Sequence, residues 1–453
     1  MKVETPRDLA LRVLNDLSRK PGFSASSLDN LFKSRPHLEE RDRAFISQLV
    51  QGSIRWRARL DWTIQQSSDS PLRKISIPVL NTLRLALYQV FFLDRVPESA
   101  AVNEAVKQVK KGNPPYVVSF VNAVLRKACR NKNQLSFPDR RKAPVDYLSV
   151  FHSYPEWLVR KWIREWGIDL AEALLEAQNR IPALTVRCNP LKINRGDLIR
   201  RLEEDSGIVG KPTPYSPQGV HLIGLRGKVD QNRAFRDGLF QVQDEAAQLT
   251  SILLSPEAGE RVLDLCAGYG GKTTHLAELM RDQGKVIALD MNHTRLVSLA
   301  TNAVRLGIRS AVAVAADASR NLPSLFRVRF DRIVVDAPCS GLGVISRHPD
   351  GKWIKKEADI PRLAQLQKAI LNSACALLCP GGTLLYVTCT LSREENEEVV
   401  DDCLAGNSSM ALVDLRDRAP LWARDLIDDR GFLRTFPHRH NMDGFFGALM
   451  QKR

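Results

Sequence analysis

The chain has 453 residues, 44% of them hydrophobic and 26% charged, and carries a net charge of +15. That length exceeds one ordinary domain, and that balance describes a globular protein with material for several cores, not a disordered or membrane-embedded chain. The eight Cys lack the close, regular spacing of a disulfide scaffold or zinc module, and no secretory segment or membrane-length apolar run is seen, so a reducing, cytoplasmic location is expected.

The charge is unevenly placed. Residues 1–140 hold 24 Lys+Arg against 13 Asp+Glu, a surplus of 11, and the rest of the chain adds only 4. A basic surplus held in one segment points to a polyanionic partner, RNA or DNA. Within residues 5–130 apolar positions recur at helical spacing, from Leu9 to Leu17 behind Thr5-Pro6, then from Phe45 to Leu60, Leu80 to Phe92, Ala100 to Val109 and Phe120 to Ala128. No strand-like alternation interrupts them, so an all-α bundle is expected. Arg55, Arg57 and Arg59, interleaved with Trp56, either grip a phosphate backbone or form a solvated face with Trp56 turned inward. Residues 131–144 are polar, contain two Pro and read as a linker.

Three phrases here carry a resemblance: Asp42-Arg43-Ala44-Phe45, Leu49-Val50-Gln51-Gly52-Ser53-Ile54-Arg55, and Phe120-Val121-Asn122-Ala123-Val124-Leu125-Arg126. They resemble the RNA-binding antitermination factor NusB, and more closely the NusB-like domain that opens one family of bacterial ribosomal RNA methyltransferases. The resemblance implies a NusB-like, helical RNA-binding domain over residues 1–140.

Residues 145–235 are mixed. A helix opens at Tyr154-Pro155-Glu156-Trp157, Thr185 to Pro190 reads as a strand and turn, and Arg195 to Leu202 as a helix. A small α+β middle domain fits, with Arg187 a candidate RNA or substrate contact. Gln243 and Asp244 fall just before the next binding edge, though a plain helix cap explains Asp244 equally well.

From Arg261 the pattern becomes strand, loop, helix, repeated. The strand Val262-Leu263-Asp264-Leu265 leads through Cys266, Ala267, Gly268, Tyr269, Gly270, Gly271 and Lys272 into a helix from Thr273 to Met280. Val286 to Leu289 ends in Asp290, Ala311 to Ala315 leads to Asp317, and Arg332 to Val335 ends in Asp336. A helix over Pro361–Leu378, a turn at Pro380-Gly381-Gly382 and a fifth strand over Thr383–Val387 follow. Such alternation predicts a doubly wound parallel sheet, an α/β Rossmann-like domain over residues 236–453. Three carboxylates at consecutive strand ends beside a Gly-rich loop indicate a nucleoside cofactor, since an acidic residue after the second strand hydrogen-bonds ribose hydroxyls. NAD is one alternative. Glycines 268, 270 and 271 lack the spacing that seats a pyrophosphate, which better suits S-adenosyl-L-methionine.

Asp336-Ala337-Pro338-Cys339-Ser340-Gly341 closes the fourth strand, and Thr388-Cys389-Thr390 closes the fifth. Neighbouring strands would put both thiols at one edge. Carbon 5 of a pyrimidine is a poor nucleophile until a thiolate adds to carbon 6, and a base must later remove the carbon 5 proton. Two thiols and a carboxylate fit that sequence of events. A free thiol titrates near 8.5, so a cation such as Lys272 would help ionise it. Asp336 is placed to hydrogen-bond cytosine at N3 and its amino group. Cys375 and Cys379, one helical turn apart on an apolar face, read as core, and no metal is expected.

These motifs, with His348-Pro349-Asp350, Lys352-Trp353, Glu394-Glu395-Asn396 and Asp443-Gly444-Phe445-Phe446, closely resemble the RNA cytosine-5 methyltransferases. With the NusB-like front, the resemblance is to the Fmu/Sun (RsmB) family, which modifies small-subunit ribosomal RNA, and it covers nearly the whole chain. It implies that Cys389 is the nucleophile and that Cys339 assists release. It also implies that Cys266 to Lys272, Asp290, Asp317 and Asp336 bind S-adenosyl-L-methionine or line the site. Its partner would be 16S ribosomal RNA or a small-subunit assembly particle, met by a monomer away from any membrane. The family loop usually reads Ala-Pro-Gly-Gly-Lys, whereas Tyr269 stands here in place of Pro. Rival readings are the same chemistry on transfer RNA, a non-catalytic RNA-binding or assembly factor, and a DNA enzyme attacking through Cys339.

Overall fold

The computed structural model describes residues 4–225, 227–320 and 322–453. Helices open the chain: α1 (Pro6–Arg19), α2 (Ser24–Ser34), α3 (Glu40–Arg55), α4 (Arg57–Ser67), α5 (Ile77–Phe92), α6 (Glu98–Lys110), α7 (Pro115–Arg130), α8 (Pro144–Phe151), α9 (Glu156–Trp166) and α10 (Ile168–Asn179). A mixed stretch follows with β1 (Leu184–Cys188), α11 (Arg195–Ser206), β2 (Val209–Pro212), β3 (Gly219–Ile223), α12 (Arg233–Arg236) and β4 (Phe240–Val242). Then come α13 (Glu245–Leu254), β5 (Arg261–Leu265), α14 (Gly271–Leu279), β6 (Lys285–Asp290), α15 (His293–Leu306), β7 (Ala311–Ala315), α16 (Leu322–Leu325) and β8 (Phe330–Asp336). The chain ends through α17 (Gly351–Ile354), α18 (Asp359–Leu377), β9 (Leu378–Thr388), α19 (Glu397–Gly406), β10 (Met410–Val413), β11 (Leu433–Arg434), α20 (Pro437–His440) and β12 (Phe446–Lys452). Among the described residues no helix is long and apolar enough to cross a membrane. Contacts divide the chain into two units: Met1–Arg180 with Ile345–Glu357, and Ile181–Val344 with Ala358–Arg453.

The first unit is all-α. Thr5 and Asp8 form a reciprocal capping box that starts α1, whose Leu9, Ala10, Val13 and Leu14 turn into the core. The long apolar helix α5 is buried along most of its length, so α1, α3, α4, α6 and α7 pack around it. Trp56 stacks on Phe92 with ring centroids 4.5 Å apart, which settles it as core. Arg55 is correspondingly not a phosphate grip. It is buried and donates to the Gln178 and Ser346 carbonyls at 3.1 and 2.7 Å. Arg59 lies over the Phe137 and Phe151 rings. A withdrawn guanidinium needs such acceptors and ring faces in place of water.

The segment Ile345–Glu357 is built into this helical unit. Ser24 donates to Asp350 at 2.8 Å, and the Trp353 indole donates to the Ile54 carbonyl at 2.8 Å. Lys352 is fully buried, donates to Asn179 at 3.1 Å and sits 3.8 Å over the Tyr154 ring.

The second unit contains two sheets. The smaller is antiparallel, in the order β2-β3-β1-β4, and packs on α11. The larger runs β10-β12-β9-β8-β5-β6-β7, with β11 beside β12. Strands β5 to β9 are parallel, and β12 is antiparallel to β9. From β5 the chain builds outward through β6 and β7, then returns to add β8 and β9 on the other side. The reversal opens a crevice at the carboxyl ends of β5 and β8, where such sheets bind ligands. β9 begins at Leu378, five residues before the expected strand, because Gly381, at φ +76°, lets the chain bulge while staying paired to β8.

Candidate active site

β8 lies between β5 and β9, so the ends of three neighbouring strands converge. β8 delivers Asp336, the turn after β5 delivers Lys272 in the first helical turn of α14, and the turn after β9 delivers Cys389. The Lys272 ammonium lies 2.7 Å from the Asp336 carboxylate. Burial opposes the charge on Lys272, but the Asp336 and Asp264 carboxylates overcome it and hold its pKa above the ordinary lysine range. The Phe445 ring lies 5.3 Å from the same ammonium.

The sulfurs of Cys339 and Cys389 stand 3.3 Å apart. The interaction with Cys389 and burial, ahead of the nearby Glu395 carboxylate, push the Cys339 thiol well up, so it stays protonated. Backbone packing sets the position of Cys389. Gly343 N–H donates to its carbonyl at 2.9 Å, and Gly444 N–H donates to the Gly343 carbonyl at 2.9 Å. Gly343 has no room for a side chain, since a Cβ there would stand 1.9 Å from the Gly444 oxygen.

The cofactor side is equally constrained. Cys266, Gly268 and Gly270 have φ of +63°, +57° and +81°, which bends the chain sharply between β5 and α14. A Cβ on Gly270 would reach within 2.4 Å of Leu299. Ala267 N–H donates to the Leu289 carbonyl, and Asp290 accepts from the Gly268 and Asn292 amides at 2.9 and 2.7 Å. Gly271 opens α14. The Ser319 hydroxyl and amide hold the Asp317 carboxylate below its usual range. Burial pushes Asp264 up to about 7; one of its oxygens accepts from Thr273 at 2.6 Å and the other is an orphaned buried acceptor. Burial likewise pushes up the Cys266 thiol, making it a poor nucleophile. Tyr269 is 63% exposed, with the Arg295 guanidinium over its ring.

This donor set fits S-adenosylmethionine. Carboxylates at the ends of β6 and β8, and in the loop after β7, suit ribose hydroxyls and an amino group, whereas they would repel a pyrophosphate. Asp290, Asp317 and the loop from Cys266 to Lys272 are the residues that would hold it.

Arg187 is not a substrate contact. It is fully buried and donates through all five N–H groups. Two go to Glu278 at 2.8 Å, one to Thr274 at 3.1 Å, one to the Gly271 carbonyl at 2.8 Å and one to Gln243. It braces the first turn of α14 from the small sheet. Asp244 caps α13, and its carboxylate also accepts from the Asp443 amide at 3.2 Å. Cys375 and Cys403 are buried with sulfurs 3.6 Å apart, a partner for Cys403 that spacing alone did not reveal. Sequence reasoning gave no role to Glu395, Gly343 or Phe445. The Glu-Glu-Asn and Asp-Gly-Phe-Phe phrases were the available signal.

Comparison with known proteins is consistent along the chain. Residues 4–130 match the NusB family, residues 154–226 the ferredoxin-like domain of RsmF/B-like methyltransferases, and residues 251–451 the model described as 16S rRNA methyltransferase RsmB/F. The chain is 36% identical to a probable ribosomal RNA small subunit methyltransferase B of Bacillus subtilis (strain 168), covering 100% of both chains. It is 35% identical to the protein of that name from Synechocystis sp., covering 98% of this chain and 99% of the other. A crystal structure of PH0851 superposes with a TM-score of 0.80 at 28% identity, covering 99% of each chain. A methyltransferase homolog protein from Pyrococcus horikoshii covers 68% of this chain and 98% of its own, with a TM-score of 0.59 at 30% identity.

Proposed function

The chain belongs to the RsmB/F family of S-adenosylmethionine-dependent 16S rRNA methyltransferases, and on that premise we propose that it methylates carbon 5 of a cytosine in 16S ribosomal RNA through a covalent Cys389 adduct. The observation that carries this reading is the pair of thiols 3.3 Å apart, at the ends of adjacent parallel strands and beside the Lys272–Asp336 pair.

The Cys389 sulfur adds to carbon 6, which turns carbon 5 into an enamine-like nucleophile. S-adenosylmethionine, when bound, supplies the electrophilic methyl group. Asp336 holds the base by accepting from the exocyclic amine and, once addition at carbon 6 has passed the Cys389 thiol proton to N3, from N3–H; Lys272 fixes that carboxylate and contributes positive charge. Cys339 hands its proton to the departing Cys389 sulfur 3.3 Å away, and the thiolate this leaves takes the carbon 5 proton, so the double bond is restored as the carbon 6–sulfur bond breaks. Cys339, kept as a thiol by its surroundings, assists this release. The substrate is the ribosomal RNA, free or in an assembling particle, and the enzyme acts as a cytoplasmic monomer. Transfer RNA is the rival substrate, and the likeness of the whole chain, NusB-like front included, to small-subunit ribosomal RNA methyltransferases favours the ribosomal one.

The separate thiol substitutions test the mechanism. Cys389→Ala abolishes transfer, and Cys339→Ala lets a protein–RNA adduct accumulate that survives denaturing gels. The reverse pattern overturns the assignment. Bisulfite sequencing of ribosomal RNA from cells lacking the protein tests the substrate; persistence of every small-subunit methylcytosine rules it out.

A further inference from the structure

Glu395 lies in the helical turn Arg393–Glu395 after β9 and enters the chemistry above only as a nearby charge that helps keep Cys339 protonated. Its side chain is fully buried. A carboxylate withdrawn from water persists only where donors replace it. Here one oxygen accepts from the Ser340 amide at 2.8 Å and from the Gln367 amide group at 3.0 Å. The other accepts from the Ser340 hydroxyl at 2.5 Å and the Thr390 hydroxyl at 3.3 Å.

Ser340 follows Cys339, and Thr390 follows Cys389. Gln367 also donates to the Pro338 carbonyl at 3.0 Å, which ties the residue before Cys339 into the same cluster. The turn that carries Glu395 is itself fixed, since the Tyr386 hydroxyl donates to the Glu395 carbonyl at 2.6 Å and the Asn396 side chain donates to the Thr390 carbonyl at 3.1 Å. One carboxylate therefore bridges the two loops that carry the thiols, through residues flanking the sulfurs.

The geometry points to Glu395 as the positioning residue of this site: its carboxylate sets the spacing of Cys339 and Cys389, and with it the release of the methylated base. The inference rests on the two-thiol reading above. Release is the step affected because the contacts are weighted to the Cys339 side, through Ser340 twice and through Gln367. Cys389 has an independent anchor in the Gly343 amide.

The test uses the full chain with small-subunit ribosomal RNA and S-adenosylmethionine. Glu395→Ala lowers turnover about 100-fold, the cost of a roughly 1 Å misplacement, and the covalent RNA adduct accumulates as in Cys339→Ala. The KM for cofactor stays within twofold. Glu395→Gln restores most of the turnover, because its carbonyl oxygen accepts from the Ser340 amide and its amide group donates to the two hydroxyls. Without RNA, bridging of Cys339 to Cys389 by dibromobimane, mapped by peptide mass, slows in Glu395→Ala and recovers in Glu395→Gln. Wild-type turnover and bridging in Glu395→Ala overturn the inference. So does equal loss of cofactor binding in both variants, which would make Glu395 a structural residue only. If Cys389→Ala still methylates, the two-thiol reading falls instead, while the bridging rates still report on the spacing.

Discussion

Lys272 and Asp336 form an ion pair 2.7 Å long in which the lysine is almost wholly withdrawn from water and the aspartate keeps about a third of its side chain accessible. The asymmetry suits a carboxylate that must meet a base while its partner stays in place. Lys272→Met removes the charge and keeps the length of the side chain. Single-turnover methyl transfer should fall by about 100- to 1000-fold, the range for loss of one preorganised electrostatic group. The RNA dissociation constant should change far less, which separates chemistry from binding.

Gly343→Ala is predicted to displace Cys389 without touching the cofactor loop. The added Cβ meets the Gly444 oxygen at 1.9 Å and the Cys389 oxygen at 2.9 Å, both of them backbone atoms that cannot rotate away. Methyl transfer should drop at least tenfold while S-adenosylmethionine binding, followed by calorimetry, stays within about twofold.

Arg187 and Glu278 form an ion pair with both side chains fully excluded from solvent. Burial raises the pKa of Glu278, and the arginine opposes that rise. Arg187→Met strands the carboxylate and should cost about 3–5 kcal/mol in urea unfolding. Arg187→Met with Glu278→Leu should recover much of that loss. If the single and double variants are equally unstable, the pair is not what the packing depends on.

Asp264 gives a pH signature. Its folded pKa of about 7 lies above the ordinary aspartate value of 3.8, so between the two the native chain holds a proton that the unfolded chain has lost. The stability it contributes is present below pH 4 and is lost as pH rises through 7. Comparison of urea midpoints of wild type and Asp264→Asn across pH 4.5–8 should show the variant lacking this downward slope. Parallel curves would refute it.

The alternation of strand and helix from Arg261 onward was legible because the inner parallel strands β5, β6 and β8 are largely buried and read as apolar runs, two of them, β6 and β8, ending in a carboxylate. The same regularity placed both thiols, since adjacent strand ends face one edge. The helical front was legible from its periodicity. Side chains whose partners lie far along the chain were not. Arg187 looks like a surface cation until Glu278, 91 residues on, is brought to it. Arg55 likewise becomes an interior residue only when the Ser346 carbonyl arrives from 291 positions away. Gly343 looks like an ordinary turn glycine, and only the crossing with Gly444 shows why nothing larger fits.

The placement of Ile345–Glu357 with the helical unit constrains how this protein can be shortened. The chain leaves the methyltransferase-type unit directly after the Cys339 loop and rejoins it at Ala358. A fragment starting at Ile181 would keep Lys352 and Trp353 but lose Tyr154, Asn179 and Ile54, which enclose them. That would leave a cation and an indole uncovered in the segment that follows the Cys339 loop. Truncation at residue 181 is therefore expected to disturb the Ile345–Glu357 segment as well as to remove the helices.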